Sequence, residues 1–313
     1  MKIEQVLLDA YQVRKTKAQK TVFIEYVKGL CAEHNLPVNV EQKGSTRNIV
    51  IGDADNASVI FGAHYDTCAN MVVPNFITPK NFLVCILYSF LLAGVLFAVA
   101  VAAGLAVDML LWKGLYSPVF LIVLWSLLIL MMAGPANPHT ANDNTSGTAT
   151  VLRLALELPE ELREDVCFVL FDKEELGLIG SSFFASKHKQ AAKNAFMINF
   201  DCVGDGDALL FVPKKKAYKA AEYELLCGIA REVCDCTGKE LLPCKNGQAM
   251  YPSDQANFQK GVGVAFLRKK RFIGYYMNRI HTKRDTILQK ENLDALVAIC
   301  RKFLENKPHQ AVR

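Results

Sequence analysis

The sequence predicts an α/β fold, in which a central sheet is flanked by helices and interrupted by one long apolar insert. Three observations support this fold class. Short apolar runs alternate with segments of helical periodicity along most of the 313 residues. Polar residues cluster where the apolar runs end, as in sheets whose site lies at the carboxyl ends of the strands. Residues 82–107 carry no charge and interrupt this alternation.

Before the insert, the pattern predicts one helix followed by three strands. The helix is expected within 16–35, and the strands near 37–41, 47–51 and 59–67. The third strand lies in the stretch VIFGAHYDT, and its carboxyl end carries His64 and Asp66. Two side chains suited to metal binding or proton transfer therefore stand at a strand end.

After the insert, helices and strands continue to alternate. Helices are expected at NTSGTATVLRLALEL (144–158), 216–234 and 291–306, and strands at VCFVLFDKEE (166–175), NAFMINFDCVG (194–204) and 262–268. Asn, Thr and Ser at the start of the first helix are typical of a helix N-terminus. Glu174, Glu175 and Asp201 stand at the ends of the first two of these strands.

The charge balance argues against nucleic acid as a partner. The chain has 36 Lys and Arg against 31 Asp and Glu, a net charge of +5. The basic runs at 214–216 and 268–271 are short and adjoin apolar strand-like runs. We therefore expect solvated strand ends rather than a phosphate-binding patch.

The ten cysteines lack the even spacing of a disulfide framework. The tightest group comprises Cys227, Cys234, Cys236 and Cys244, for which a zinc cluster is the alternative to free thiols. Because no CxxC pair occurs, free thiols in a reducing compartment are expected. Residues 1–20 are charged and amphipathic, unlike a signal peptide, so we expect the chain to start in the cytosol.

The insert has the length and composition of a membrane-spanning hairpin. Residues 82–107 would form a helix about 39 Å long, against about 30 Å for the hydrocarbon core of a bilayer. The second apolar run, 117–134, would be about 27 Å long as a helix, which either just crosses the bilayer or is re-entrant. The alternative is a helical pair buried in a soluble fold.

Small residues recur at four-residue spacing in the first apolar run, at Gly94, Ala98, Ala102 and Ala106. In lipid, such a seam lets two helices approach closely. Its partner is either the second apolar run or another copy of the chain, which would give a homo-oligomer through the hairpin helices.

Five acidic or imidazole signals lie on the two sides of the insert, and all are ligand types that zinc accepts. They are His64-Tyr65-Asp66, Asp143 within Asn142-Asp143-Asn144, the pair Glu174-Glu175, Asp201, and His281 in HTKRDT. Any one alone is a weak signal. Four of the five fall at or just after the end of an apolar run, which favours a common site.

Six motifs, GAHYDT, NDNTSGTA, FDKEELGLIGS, NFDCVG, SDQANF and HTKRDT, resemble in this order the metal-binding motifs of the co-catalytic di-zinc aminopeptidase family. That family also includes glutamate carboxypeptidase and the single-zinc glutaminyl cyclases. The resemblance implies a mixed, mostly parallel sheet. The zinc peptidase catalytic domain would then comprise 1–79 and 139–313, with a transmembrane helical hairpin at 80–138.

The resemblance also implies two zinc ions per chain, although cobalt or manganese would fit the same ligand types. His64 and Asp201 would hold one ion, Glu175 and His281 would hold the other, and Asp143 would bridge the two. A hydroxide between the ions would then be the nucleophile.

Further roles follow from the same resemblance. Asp66 would accept the other ring N–H of the first histidine ligand, and Glu174 would act as general base. A cis peptide bond is implied after Asp143. Asp254 and Gln255 of the SDQANF motif would lie near the substrate, although family members usually carry a histidine at the position of Gln255.

The expected function is removal of N-terminal residues from peptides by a membrane-anchored di-zinc aminopeptidase. The alternatives are a carboxypeptidase of the same family, with Arg279 or the 268–271 run as its carboxylate site, and a non-catalytic membrane scaffold. Ligands on both sides of the insert must meet at the same ions, so the insert must cross the membrane an even number of times.

The expected partners are a peptide substrate and membrane lipid, with no nucleic acid. The loop between the two apolar runs keeps Lys113 as its cation, while nearly all other Lys and Arg fall in the catalytic portion. We therefore expect a cytoplasmic catalytic domain. Because the insert leaves from a loop of the site, the mouth of the site is expected to lie close to the membrane and to favour short or apolar peptides.

Overall fold

The computed structural model describes residues 2–71, 73 and 75–307 of the chain. Its strands are Val38–Lys43 (β1), Thr46–Ile51 (β2), Val59–His64 (β3), Val166–Phe171 (β4), Phe196–Phe200 (β5), Ala208–Pro213 (β6), Glu240–Pro243 (β7), Lys260–Lys270 (β8) and Gly274–Tyr276 (β9). Its α-helices are Ile3–Ala10 (α1), Lys17–Glu33 (α2), Phe82–Leu110 (α3), Tyr116–Ala133 (α4), Gly147–Glu157 (α5), Ile179–Lys187 (α6), Lys189–Asn194 (α7), Lys215–Tyr218 (α8), Ala221–Thr237 (α9) and Lys290–Asn306 (α10). Met1, Val72, Pro74 and 308–313, all within the predicted catalytic domain, lie outside the described residues.

The strands form one mixed sheet in the order β1-β2-β4-β3-β5-β8-β6-β7, and β9 pairs with β8. Its centre, β4-β3-β5-β8, is parallel. On its two sides, β2 runs antiparallel to β4 and β6 antiparallel to β8. The predicted mixed sheet with a mostly parallel centre is therefore confirmed.

Helices cover both faces of the sheet, and for that reason β3 and β4 are nearly continuous apolar runs. All six residues of each strand are buried. Phe61 and Phe168 belong to one core with α2, α5, α9 and α10. Ile60 and Cys167, one residue earlier in each strand, belong to a second core with α6 and α7. The alternation follows from the two-residue period of a strand.

The insert forms a helical hairpin. Tyr116 of α4 packs on Gly104 of α3, where an added Cβ would stand 2.9 Å from the ring. Phe97 and Phe120 meet with ring centroids 5.3 Å apart. Both helices are long and apolar enough to cross a membrane. No residue in the most apolar stretch of either helix is buried. That exposure contradicts the alternative of a helical pair buried in a soluble fold.

The small-residue seam does not face the second helix. Gly94, Ala98, Ala102 and Ala106 are all exposed, and no atom lies within 4 Å of a Cβ placed on Gly94. The contact with α4 uses Gly104 instead. A seam partner, if one binds, is therefore another molecule rather than α4.

Some elements have no counterpart in the sequence pattern. β6 is a six-residue apolar run without alternation, so no period marks it as a strand. In the structure it pairs antiparallel with β8. α1 and β9 are likewise too short for a periodic signal. All ten cysteines are free of disulfide bonds, and the reducing compartment expected from them stays a prediction.

Candidate metal centre

The parallel centre of the sheet brings three of the predicted motifs to one edge. His64 is the last residue of β3, Asp201 follows β5 directly, and Glu174 and Glu175 follow the end of β4. Because β4, β3 and β5 are parallel neighbours, their carboxyl ends lie side by side. The topology therefore collects these side chains in one cluster.

Asp143 reaches the same edge from the loop that precedes α5. The peptide bond between Asp143 and Asn144 is cis, as the resemblance implies. The Asn144 side chain fixes the loop on two sides. Its Nδ2 donates to the carbonyl of Phe200 at 2.9 Å, and its Oδ1 accepts the N–H of Gly147 at 3.0 Å. The loop is thereby tied to the end of β5 and to the start of α5.

Asp143 lies between the two histidines. Its Oδ1 is 3.3 Å from Nε2 of His64, and its Oδ2 is 3.1 Å from Nε2 of His281. On the outer side, Nε2 of His64 is 3.6 Å from Oδ1 of Asp201, and Nε2 of His281 is 3.4 Å from Oε2 of Glu175. The two oxygens of one carboxylate thus face two separate imidazole–carboxylate pairs.

The donor atoms form overlapping groups in which every pair lies within 4.8 Å. The groups are His64-Asp143-Asp201, His64-Glu174-Glu175 and Cys68-Asp143-Glu175-His281. The first and the last contain the two predicted ligand sets. Cys68 is an addition that the sequence reasoning did not assign. Its thiol is buried beside the second set.

The electrostatics of the cluster fit a cation. Burial raises the pKa of Glu174 well above its usual value, and it raises the pKa of Glu175 to about 8. Burial acts against the charged form of His281, yet Glu175 and Asp143 raise the pKa of that imidazole to about 9. Oε1 of Glu175 is buried without a hydrogen-bond partner. Crowded carboxylates of this kind hold either protons or metal ions, and with imidazoles they form a donor set that zinc accepts.

Asp66 joins the ends of β3 and β4. Its Oδ1 lies 3.5 Å from Nδ1 of His64 and accepts the backbone N–H of Glu174 at 3.0 Å. Its Oδ2 accepts the N–H of Glu175 at 3.4 Å. One carboxylate therefore lies beside the first imidazole and holds the turn that carries both glutamates.

Two residues that the sequence analysis did not single out also hold parts of the cluster in place. The Asp285 carboxylate accepts the backbone N–H groups of Asn142 and Asp143, at 2.8 and 2.9 Å. The Tyr251 hydroxyl donates to the carbonyl of Asp201 at 3.1 Å. Asp285 is part of the HTKRDT motif, so its position in that motif was the available signal. Tyr251 lies outside the quoted motifs.

Asp254 and Gln255, predicted to lie near the substrate, are both buried. Gln255 donates from Nε2 to the carbonyl of Tyr251 at 2.7 Å, and its Oε1 accepts from Asn199 at 3.0 Å. Burial raises the pKa of Asp254 to about 7. Neither side chain lines the pocket beside the cluster. Gln255 therefore bonds within the core, and a contact of either residue with the substrate stays a prediction.

The cluster opens into a pocket of about 250 Å³. The pocket is lined by His64, Asn75, Ile77, Asp143, Glu174, Glu175, Asp201, Cys202, Tyr251, Pro252, Ile280 and His281. Ile77 and Ile280 contribute apolar surface from two segments that are joined, because Ile77 and Met277 exchange backbone hydrogen bonds. Ile77 precedes α3 by five residues, so the pocket lies near the point where the hairpin leaves the domain.

Comparison with known proteins relates this fold to two groups of enzymes. A sequence model of peptidase family M28 matches residues 126–305, from within α4 to within α10. No curated protein matches the chain in sequence. The glutaminyl cyclase of Tannerella forsythia has a similar structure, with a TM-score of 0.59 at 16% identity over 97% of this chain and 96% of that one. The LapA aminopeptidase of Legionella pneumophila is also similar, with a TM-score of 0.58 at 12% identity over 97% of this chain and 68% of that one. At these identities the likeness shows a shared fold.

Proposed function

Because the chain belongs to peptidase family M28, we propose that it is a membrane-anchored, zinc-dependent aminopeptidase that removes N-terminal residues from peptides. The observation that carries the proposal is the position of Asp143, whose two oxygens face His64 and His281 separately. A carboxylate in that position can be shared by two metal ions, as in two-metal hydrolytic sites.

The proposed ligands divide into two sets that share Asp143. His64 and Asp201 would hold one zinc ion, and His281 and Glu175 would hold the other. Bound zinc would supply a Lewis acid for the scissile carbonyl and a water of lowered pKa. Cobalt or manganese would fit the same nitrogen and oxygen donors.

Glu174 is the proposed general base. Its carboxylate lies in the donor group with His64 and Glu175 and lines the pocket. Burial raises its pKa, which makes the carboxylate a stronger base. This side chain can then take a proton from the attacking water and pass it to the leaving amine. Neither proposed ligand set requires it, which leaves it free for proton transfer.

The charge of the pocket supports recognition of a free N-terminus. A carboxypeptidase needs a cation for the terminal carboxylate, and Arg279 and the 268–271 run were the candidates. Arg279 pairs with Asp205 at 3.1 Å, and Nε of Arg268 lies 3.6 Å from the same carboxylate. Within the part of the chain that the structure describes, no Lys or Arg lines the pocket. Four carboxylates line it instead, and an acidic pocket suits an ammonium group.

The proposed topology is a membrane hairpin with both ends on the cytoplasmic side. α3 and α4 expose apolar side chains along their length, which suits contact with lipid acyl chains. Lys113 is the cation of the connecting loop, whereas Lys80 and the 268–271 run flank the opposite end of α3. That asymmetry agrees with the positive-inside rule.

The position of the pocket suggests how substrates arrive. Ile77 is separated from Phe82, the first residue of α3, by five residues, or at most about 17 Å of extended chain. The apolar part of the pocket would then open close to the bilayer surface. We propose that the substrates are short or apolar peptides that approach along the membrane.

Metal analysis combined with a peptide panel tests this function. Wild type and Glu174→Ala are purified in detergent, and metal content and cleavage of free and N-blocked peptides are measured. Near two metal ions per chain, with cleavage restricted to free N-termini and lost in the variant, is the expected result. Cleavage of N-blocked peptides from the C-terminus would identify a carboxypeptidase instead. Cyclisation of N-terminal glutamine without hydrolysis would identify a glutaminyl cyclase, and little metal with no turnover would identify a scaffold.

A further inference from the structure

The turn between β8 and β9 lies beside the start of α3. Nδ2 of Asn81 donates to the carbonyl of Ile273 at 3.3 Å. Oδ1 of the same side chain accepts the N–H of Val84 and caps the helix. A few residues away, Ile77 and Met277 exchange backbone hydrogen bonds. The turn is therefore held at the level where the apolar helix begins.

Aromatic rings strengthen this attachment. The ring of Phe76 lies 5.4 Å from that of Tyr88 in α3 and 5.8 Å from that of Tyr276 in β9. Nζ of Lys80 stands 5.9 Å from the ring of Tyr275. The first turns of α3 and the strand β9 thus pack against a common ring, which keeps the β8–β9 turn next to the helix.

The tip of this turn combines positive charge with an exposed aromatic ring. Phe272 is 91% exposed, more than any other large hydrophobic residue that the structure describes. Lys80, Lys270 and Arg271 are exposed as well. Among the described ion pairs none involves these three cations, whereas their neighbour Lys269 is paired with a glutamate. The tip therefore carries three exposed cations without a described ion pair around a solvent-exposed ring.

We propose that this tip, residues 270–273 together with Lys80, is a membrane-interface anchor that binds anionic phospholipids. The proposal rests on the membrane-spanning hairpin of the proposed function. Phe272 would enter the boundary between headgroups and acyl chains, and the three cations would bind headgroup phosphates. Aromatic and basic residues are the side chains that this boundary favours. We choose a lipid surface as the partner because the tip bonds to Asn81, which caps the apolar helix α3.

The anchor would also position the candidate active site. The chain runs from the tip through β9 to Ile280 and His281, which line the pocket. The segment that leads into α3 supplies Ile77 to the same pocket. Contact of the tip with the bilayer would therefore fix both segments, and with them the pocket mouth, at the membrane surface.

Tryptophan fluorescence of the full chain in lipid nanodiscs tests this anchor. The native tryptophans, Trp112 and Trp125, both belong to the hairpin segment. Their quenching by lipids brominated near the top of the acyl chain reports whether the hairpin lies in the bilayer. In a chain that carries Trp112→Phe and Trp125→Phe, Phe272→Trp then reports the tip alone.

Tyr218→Trp in the same background is the matched control. Tyr218 lies on α8 and is 40% exposed. The N–H of Lys214, just before α8, bonds to the carbonyl of Gly261 at the opposite end of β8. Along that strand the distance from Gly261 to Lys270 is about 30 Å, so a tryptophan on α8 is remote from the proposed anchor.

We expect brominated lipid to quench Phe272→Trp but not Tyr218→Trp, and to quench it more strongly when phosphatidylglycerol replaces part of the phosphatidylcholine. Lys270→Gln and Arg271→Gln should each weaken docking to the anionic discs by about five-fold. Lys215→Gln and Lys216→Gln on α8 should not change it. Quenching of the native tryptophans without quenching of Phe272→Trp would overturn the anchor and leave the proposed function standing. Equal quenching of Phe272→Trp in neutral and anionic discs would overturn the contact with anionic headgroups. Absence of quenching of the native tryptophans would overturn both the membrane hairpin and the anchor.

Discussion

The carboxylate of Asp285 accepts the backbone N–H of Asp143 at 2.9 Å. It therefore holds in place the residue that faces both histidines of the candidate metal centre. Asp285 stands four residues after His281, so the HTKRDT motif supplies one proposed ligand and also positions the proposed bridging ligand. This arrangement couples the geometry of the two ligand sets.

We predict that Asp285→Asn weakens metal binding by about ten- to hundred-fold, the usual cost of removing a group that orients a ligand. The amide keeps one acceptor oxygen but loses the other, and the loop that carries Asp143 is then held by one bond in place of two. Metal titration followed by equilibrium dialysis measures the loss. Asp207→Asn, at an exposed carboxylate, is the control, and unchanged metal affinity in Asp285→Asn would contradict the prediction.

Substitution of the adjacent residues Glu174 and Glu175 should impair the enzyme in different ways. Glu174→Gln is expected to lower kcat by about 10²- to 10⁴-fold with metal content unchanged, because the proton acceptor is removed while both ligand sets remain. Glu175→Gln is expected to lower metal content first, because it removes a ligand. Metal analysis and single-turnover kinetics on the two variants distinguish these outcomes. If both variants lose metal to the same degree, Glu174 is a ligand and the assignment of roles is wrong.

The sequence predicts best those parts of the site that follow a periodic element. His64, Glu175 and Asp201 end apolar runs, and adjacent parallel strands necessarily bring such ends together. Asp143 lies in a loop without periodicity, so its proposed role came from the resemblance alone. Asp285 was not assigned because its partners are backbone N–H groups about 140 residues away, and no local pattern marks such a contact.

The basic run 268–271 shows a second limit of sequence reasoning. Beside an apolar strand it predicts a solvated strand end, and locally Lys270 is indeed exposed at the end of β8. A local pattern does not show which distant residues lie nearby in the fold. The turn bonds to Asn81 over a separation of 192 residues, and such long-range contacts bring the charges to the start of α3.

Gln255→Ala should destabilise the chain without weakening substrate binding. The side chain bonds to the carbonyl of Tyr251 and to Asn199 inside the core, and loss of such partners costs about 1–3 kcal/mol. Thermal unfolding in detergent and KM for a free peptide measure the two effects. Gln259→Ala, at an exposed position, is the control. A raised KM at unchanged stability would restore the expected substrate contact.

A larger side chain should lower the stability of the hairpin at one glycine of α3 and not at the other. At Gly104 a Cβ would stand 2.9 Å from the ring of Tyr116 and 3.0 Å from its carbonyl, so Gly104→Val forces α3 and α4 apart. Overpacking of this kind costs about 1–3 kcal/mol, and a lower unfolding temperature in detergent is expected. Gly94→Val meets open space and should leave that temperature unchanged, while a fall in oligomer mass on size-exclusion chromatography would show that the exposed seam joins two copies. Equal losses of stability in both variants would contradict the contact between Gly104 and Tyr116.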